Sequence, residues 1–67
     1  MDPNANLREQ EDILTQVGPV DCYERARLKK LRIALREWLD NGGFAPIWDN
    51  YPKAHRYFDA FLVRRTP

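Results

Sequence analysis

The sequence has 67 residues, a formal net charge of +1 and 31% charged residues. This length allows one domain, and the near-neutral charge excludes a polycation that binds nucleic acid through its overall charge. A hydrophobic fraction of 43% indicates a folded domain rather than a disordered chain. A domain this small buries only about 60% of the surface of its unfolded chain, so it needs very efficient helix packing or a partner chain.

The first predicted helix spans about residues 7–17 and follows a polar segment, residues 1–6, that we expect to be frayed. Asn6 and Glu9 have the spacing of a capping box, and Gly18 with the proline after it provides the stop. One side of this helix should face the core, and its members are Leu7, Gln10, Ile13, Leu14 and Val17.

The second predicted helix, about residues 21–40, has the strongest signals, and we expect the other helices to pack on it. Asp21 and Glu24 repeat the capping pattern, and Gly42, after an asparagine, accepts the positive φ of a C-cap. One arc carries the core stripe: Leu28, Leu31, Leu35, Trp38 and Leu39. A second arc predicts contacts with neighbours on another side: Cys22, Ala26 and Ile33.

Residues 41–50 form an apolar connection that contains Pro46, which predicts an irregular segment laid over the core. Its expected anchors are Phe44, Ile47 and Trp48. The third predicted helix spans about residues 51–64, with Pro52 in its first turn. Its apolar stripe is Ala54, Tyr57, Phe58, Phe61 and Leu62. Because no stretch alternates like a strand, the sequence predicts an all-α three-helix bundle, a single domain over residues 1–67 with a basic tail at 65–67.

A row of basic side chains is the most distinctive surface feature of the second helix. Spacings of four, three and four residues stack its members on one face: Arg25, Lys29, Arg32 and Arg36. No acidic residue falls in that arc, so this basic row could meet phosphates or an acidic protein surface. The alternative is a solvated face, partly neutralised by the acidic side of the first helix, which consists of Glu9, Glu11 and Asp12.

Aromatic residues crowd the second half of the chain. Three are predicted to lie in the core: Trp38, Phe58 and Phe61. Three others lie in or beside the connection: Phe44, Trp48 and Tyr51. These three either complete the core or form an exposed apolar anchor for a partner.

No catalytic or metal-binding constellation is found, and we expect neither enzymatic activity nor a cofactor. His55 and Asp59 can meet on the third helix, but no nucleophile accompanies them, so a surface ion pair is favoured. Because Cys22 is the single cysteine, an internal disulfide is excluded. One cysteine and one histidine are also too few for a zinc site with four Cys or His ligands. We expect this cysteine to be a small buried packing residue rather than a reactive thiol.

The leading functional hypothesis is a small soluble, cytoplasmic interaction module that forms a homo-oligomer or docks on a protein partner. It would use the apolar anchor for contact and the basic row for electrostatic steering. The alternative is a nucleic-acid-associated protein whose basic row contacts phosphates. A helix-turn-helix fits poorly, because the second helix is long and the connection after it exceeds a tight turn. We expect no membrane partner and no small-molecule substrate.

Overall fold

The computed structural model describes residues 2–64 and confirms an all-α three-helix architecture. The elements in chain order are α1 (Pro3–Thr15), α2 (Cys22–Asp40), a 3₁₀ turn (Trp48–Asn50) and α3 (Pro52–Arg64). No strand occurs in this range. Met1 and the predicted basic tail, residues 65–67, lie outside the described residues.

Both ends of α2 follow the local signals. The Glu24 N–H donates to Asp21 Oδ1 at 2.7 Å, and the Asp21 N–H donates to the Glu24 carboxylate at 3.4 Å, so the capping box is present. At the other end Gly42 has a φ of +85°, a conformation that favours glycine. The Gly43 N–H donates to the Trp38 carbonyl at 2.8 Å, which closes the last turn.

The predicted start of α1 at Asn6 is wrong. Asp2 is the N-cap, since its Oδ1 accepts a hydrogen bond from the Asn4 N–H at 2.9 Å, and Pro3 occupies the first helical position. Asn6 lies buried inside the helix, where its side-chain amide donates to the Leu31 carbonyl at 3.0 Å. Residues 3–6, for which the sequence predicts fraying, therefore form the first turn of α1.

The predicted end of α1 is also too late. The helix ends at Thr15, and Gln16 already has an extended backbone. Val17, predicted to face the core, is fully exposed. The glycine and proline that follow act as a stop, but the chain leaves the helix two residues before the predicted boundary.

The core consists of two clusters joined by α1. The first contains Leu7, Leu35, Ala54 and Phe58, and the second contains Ile13, Leu28 and Leu31. Leu14 of α1 packs against both clusters. Because α1 packs against both α2 and α3, it takes the central position that the sequence assigns to α2.

A carboxylate of α1 caps the N-terminus of α3. Glu11 Oε1 accepts a hydrogen bond from the Ala54 N–H at 2.8 Å, although the two residues are 43 positions apart. The first turn of α3 contains no acidic residue of its own. Glu11 therefore supplies the negative group that the positive end of the α3 dipole favours.

Glu11→Ala is expected to lower the free energy of unfolding by about 1–3 kcal/mol, because the N–H of the buried Ala54 loses its acceptor. Urea denaturation followed by circular dichroism measures this change. Asp12→Ala is the matched control, since Asp12 is the exposed neighbouring acid and its carboxylate forms no hydrogen bond or ion pair with the described residues. Equal stability of the two variants would contradict the capping role of Glu11.

Candidate interaction surface

The connection between α2 and α3 is held by side chains of two helices. The Trp38 Nε1–H donates to the Phe44 carbonyl at 2.8 Å, and Asn4 Oδ1 accepts from the Ile47 N–H at 2.8 Å. Gly43 lies so close to the Trp38 indole that a Cβ at this position would overlap the ring. Contacts with α2 and α1 thus fix the backbone of this segment.

Two large apolar side chains of the connection nevertheless point into solvent. Phe44 is 61% exposed and Ile47 is 59% exposed. The Phe44 ring contacts the Trp38 ring edge-on, with centroids 5.5 Å apart. The prediction that Phe44 and Ile47 anchor the connection to the core is therefore wrong, and we call these two residues the apolar patch.

Trp48 and Tyr51 are not part of the apolar patch, because both are half-buried and pack against the first core cluster. Trp48 stacks on His55 and Phe58, with centroid separations of 4.7 and 5.7 Å. Of the three aromatic residues predicted as a binding anchor, the structure therefore leaves only Phe44 largely exposed. Among the aromatic residues predicted for the core, Phe58 is buried, whereas Trp38 and Phe61 are half-buried.

The four members of the basic row have different environments. Arg25 and Lys29 are exposed and form no ion pair within residues 2–64. Arg32 is half-buried, and its buried Nε has no hydrogen-bond partner among the described residues. Desolvation lowers the pKa of Arg32, and Tyr57 opposes this shift. Arg36 forms an ion pair with Asp40 at 3.6 Å, so an acidic residue does reach the end of the row.

The acidic side of α1 is directed to other partners. Glu9 binds Arg27, with Nε–Oε2 and Nη2–Oε1 distances of 2.6 and 2.9 Å. This hydrogen-bonded pair lowers the pKa of Glu9. Because Glu9 binds Arg27 and Glu11 caps α3, neither residue forms an ion pair with the basic row. The predicted partial neutralisation of the basic row therefore does not come from direct pairing with Glu9 or Glu11. Arg25 and Lys29 remain available to an anionic partner.

Two predictions about single side chains have opposite outcomes. The ion pair between His55 and Asp59 is confirmed, with a Nε2–Oδ2 distance of 3.2 Å. The predicted burial of Cys22 is wrong, because this residue is exposed in the first turn of α2. Ala26 is also exposed. Cys22 and Ala26, two of the three residues of the predicted second contact side of α2, are therefore uncovered in the single chain.

A groove follows the boundary between α1 and α2. Its larger part has a volume of about 600 Å³ and contains Ala5, Lys30, Leu31 and Ala34. A smaller depression of about 140 Å³ adjoins it at Lys30 and is lined by Tyr23. Over residues 2–64, no group of three or more His, Cys, Asp or Glu side chains is arranged to hold a metal ion. In the same range, no helix combines the length and apolar character needed to cross a bilayer.

Comparison with known proteins identifies no relative: no family model matches the chain, and no similar curated protein or solved structure is found.

Proposed function

We propose that this protein is a small helical interaction module whose contact surface is the apolar patch. The observation that supports the proposal is the combination of exposed apolar side chains with a fixed backbone at Phe44 and Ile47. A surface that is already ordered loses less conformational entropy on binding than a mobile loop does. A protein partner can therefore bind this patch at a smaller cost in conformational entropy.

The energetic contribution of the apolar patch is limited. Full burial of a Phe or Ile side chain contributes about 1.5–3 kcal/mol, and more than half of each side chain is still exposed. Stable binding therefore requires further contacts, and the unpaired charges of Arg25 and Lys29 are suited to steering an acidic partner. The proposed module is non-catalytic and lies in the cytoplasm. In this reducing compartment the exposed thiol of Cys22 stays reduced.

The double variant Phe44→Ser/Ile47→Ser is expected to lose its protein partners while it keeps its melting temperature. The test is affinity purification from the native host, followed by quantitative mass spectrometry. The matched control is Val17→Ser/Val63→Ser, which replaces two exposed apolar side chains, 103% and 71% accessible, outside the patch. If both double variants retain the partners of the unmodified protein, the apolar patch is not the contact surface.

A second candidate function is supported by the state of the basic row. Since Glu9 and Glu11 have other partners, Arg25 and Lys29 are free to contact phosphates. Nuclease treatment before the same purification separates the two candidates. Loss of the co-purifying proteins after nuclease treatment, together with their insensitivity to Phe44→Ser/Ile47→Ser, would favour the nucleic-acid function.

A further inference from the structure

One side of α2 is uncovered along most of the helix. It carries Tyr23, Lys30, Ala34 and Glu37, which fall within an arc of about 60° and are all exposed. We call these four residues the outer face. Lys30 and Glu37 form no ion pair in the described part of the chain. The groove between α1 and α2 adjoins the outer face at Lys30 and Ala34.

The charge of the outer face changes sign along the helix. Lys30 lies in its N-terminal part and Glu37 two turns later, near the C-terminus. The last turn of α2 contains Asp40 and no basic residue, although the negative end of a helix dipole favours cations. The C-terminal end of the outer face therefore attracts a positive group, and the N-terminal end offers one.

Such a face is complementary to itself when a second copy is turned end for end. We propose that the outer face and the apolar patch form a two-fold symmetric interface with a second copy of this chain, with the two α2 helices antiparallel. The proposal rests on the proposed function, because it assigns a partner to the apolar patch. Lys30 of each copy then faces Glu37 of the other, and every contact occurs twice.

The antiparallel register is consistent with the side chains at the centre and at the ends of this interface. When Lys30 faces Glu37 of the second copy, the two-fold axis passes between residues 33 and 34. The small side chain of Ala34 near this axis allows the helices to approach closely. Tyr23, which is 81% exposed, is then directed towards the end of the second copy that carries its apolar patch. An amphipathic aromatic residue of this kind is common in protein interfaces and supplies a large contact area.

Charge reversal tests the pairing. Lys30→Glu and Glu37→Lys should each weaken dimerisation by about tenfold or more, because each places like charges opposite one another twice. An equimolar mixture of the two variants should restore it, since the heterodimer contains one reversed pair and one original pair, both attractive. Sedimentation velocity from about 1 µM to about 1 mM measures the dissociation constants. Lys53→Glu reverses an exposed charge on α3, outside both the outer face and the basic row, and should leave dimerisation unchanged.

The outcomes that overturn the proposal are specific. The proposal is overturned if the unmodified chain stays monomeric over the whole range, or if mixing the charge variants does not restore dimerisation. Capture of a different protein through the apolar patch by a monomeric chain would leave the proposed function intact. Dimerisation that responds to the charge variants but not to Phe44→Ser/Ile47→Ser would support the outer-face pairing and overturn the role of the apolar patch. Circular dichroism confirms that each variant is folded.

Discussion

Phe58→Ala is expected to lower the free energy of unfolding by about 3–5 kcal/mol, the usual cost of removing a buried phenylalanine side chain. Phe58 is 1% exposed and belongs to the core cluster that unites all three helices. Its ring also stacks on Trp48 and Phe61, so the variant loses support for the 3₁₀ turn. A 67-residue domain is typically stable by about 3–10 kcal/mol, so most or all of that stability should disappear.

Urea denaturation, followed by circular dichroism and by tryptophan fluorescence, measures this loss for Phe58→Ala. The fluorescence should report early exposure of Trp48, which packs directly on the removed ring. Tyr57→Ala is the matched control, because Tyr57 is the adjacent aromatic residue and is 50% exposed. A loss below about 1 kcal/mol for Phe58→Ala would show that this residue does not organise the core.

Leu31→Asp is expected to unfold the domain or to cost about 3–5 kcal/mol, because it buries an uncompensated charge. Leu31 is 6% exposed and lies in the second core cluster with Ile13 and Leu28. Burial raises the pKa of the introduced carboxyl above its unfolded value of about 4. The carboxyl therefore carries its charge at neutral pH only at a cost to the folded state, and the destabilisation should shrink as the pH falls below the raised pKa.

The comparison for Leu31→Asp is Lys29→Asp, which places the same residue type on an exposed position of the same helix. Melting temperatures of both variants between pH 4 and pH 7 separate burial from helix propensity. Only Leu31→Asp should lose most of its helicity at neutral pH. A variant that keeps full helicity and melting temperature at pH 7 would contradict the placement of Leu31 in the core.

Local sequence signals predicted well those helix ends whose interacting groups are close together in the sequence. The Asp21–Glu24 capping box and the positive φ of Gly42 each depend on groups within a few residues. Pro52 begins α3 within one residue of the predicted start for the same reason. The all-α architecture follows from these boundaries and from the apolar stripes between them.

The start of α1 shows where local patterns fail. Asn6 and Glu9 match a capping box, but the side chain of Asn6 binds a carbonyl 25 residues away, and Glu9 binds Arg27. Neither partner is visible from spacing alone. A competing local signal was present, because Asp2 followed by a proline is itself typical of a helix start.

The candidate surface was only partly predictable. Phe44, Ile47 and Trp48 have similar apolar character, and the sequence does not indicate which of them faces solvent. That outcome depends on two hydrogen bonds to the backbone of the connection, from Trp38 and to Asn4. The capping of α3 by Glu11 likewise depends on a contact between residues distant in sequence. No sequence motif in α1 or α3 predicts this contact.

The buried amides of α1 have a consequence for conformational uniqueness. Gln10 is fully buried and its Nε2 donates to Asn6 Oδ1 at 2.7 Å, while Asn6 holds the Leu31 carbonyl. A slide of α1 by one turn along α2 would break the bond from the Asn6 amide to the Leu31 carbonyl, and the cost of this buried, unpaired donor disfavours that alternative packing. The bond between Gln10 and Asn6 lies within α1 and would move with the helix. Leucine at both positions would tolerate several alignments of the two helices. The Asn6 amide, to which Gln10 donates, therefore selects one alignment among those that hydrophobic packing alone would permit.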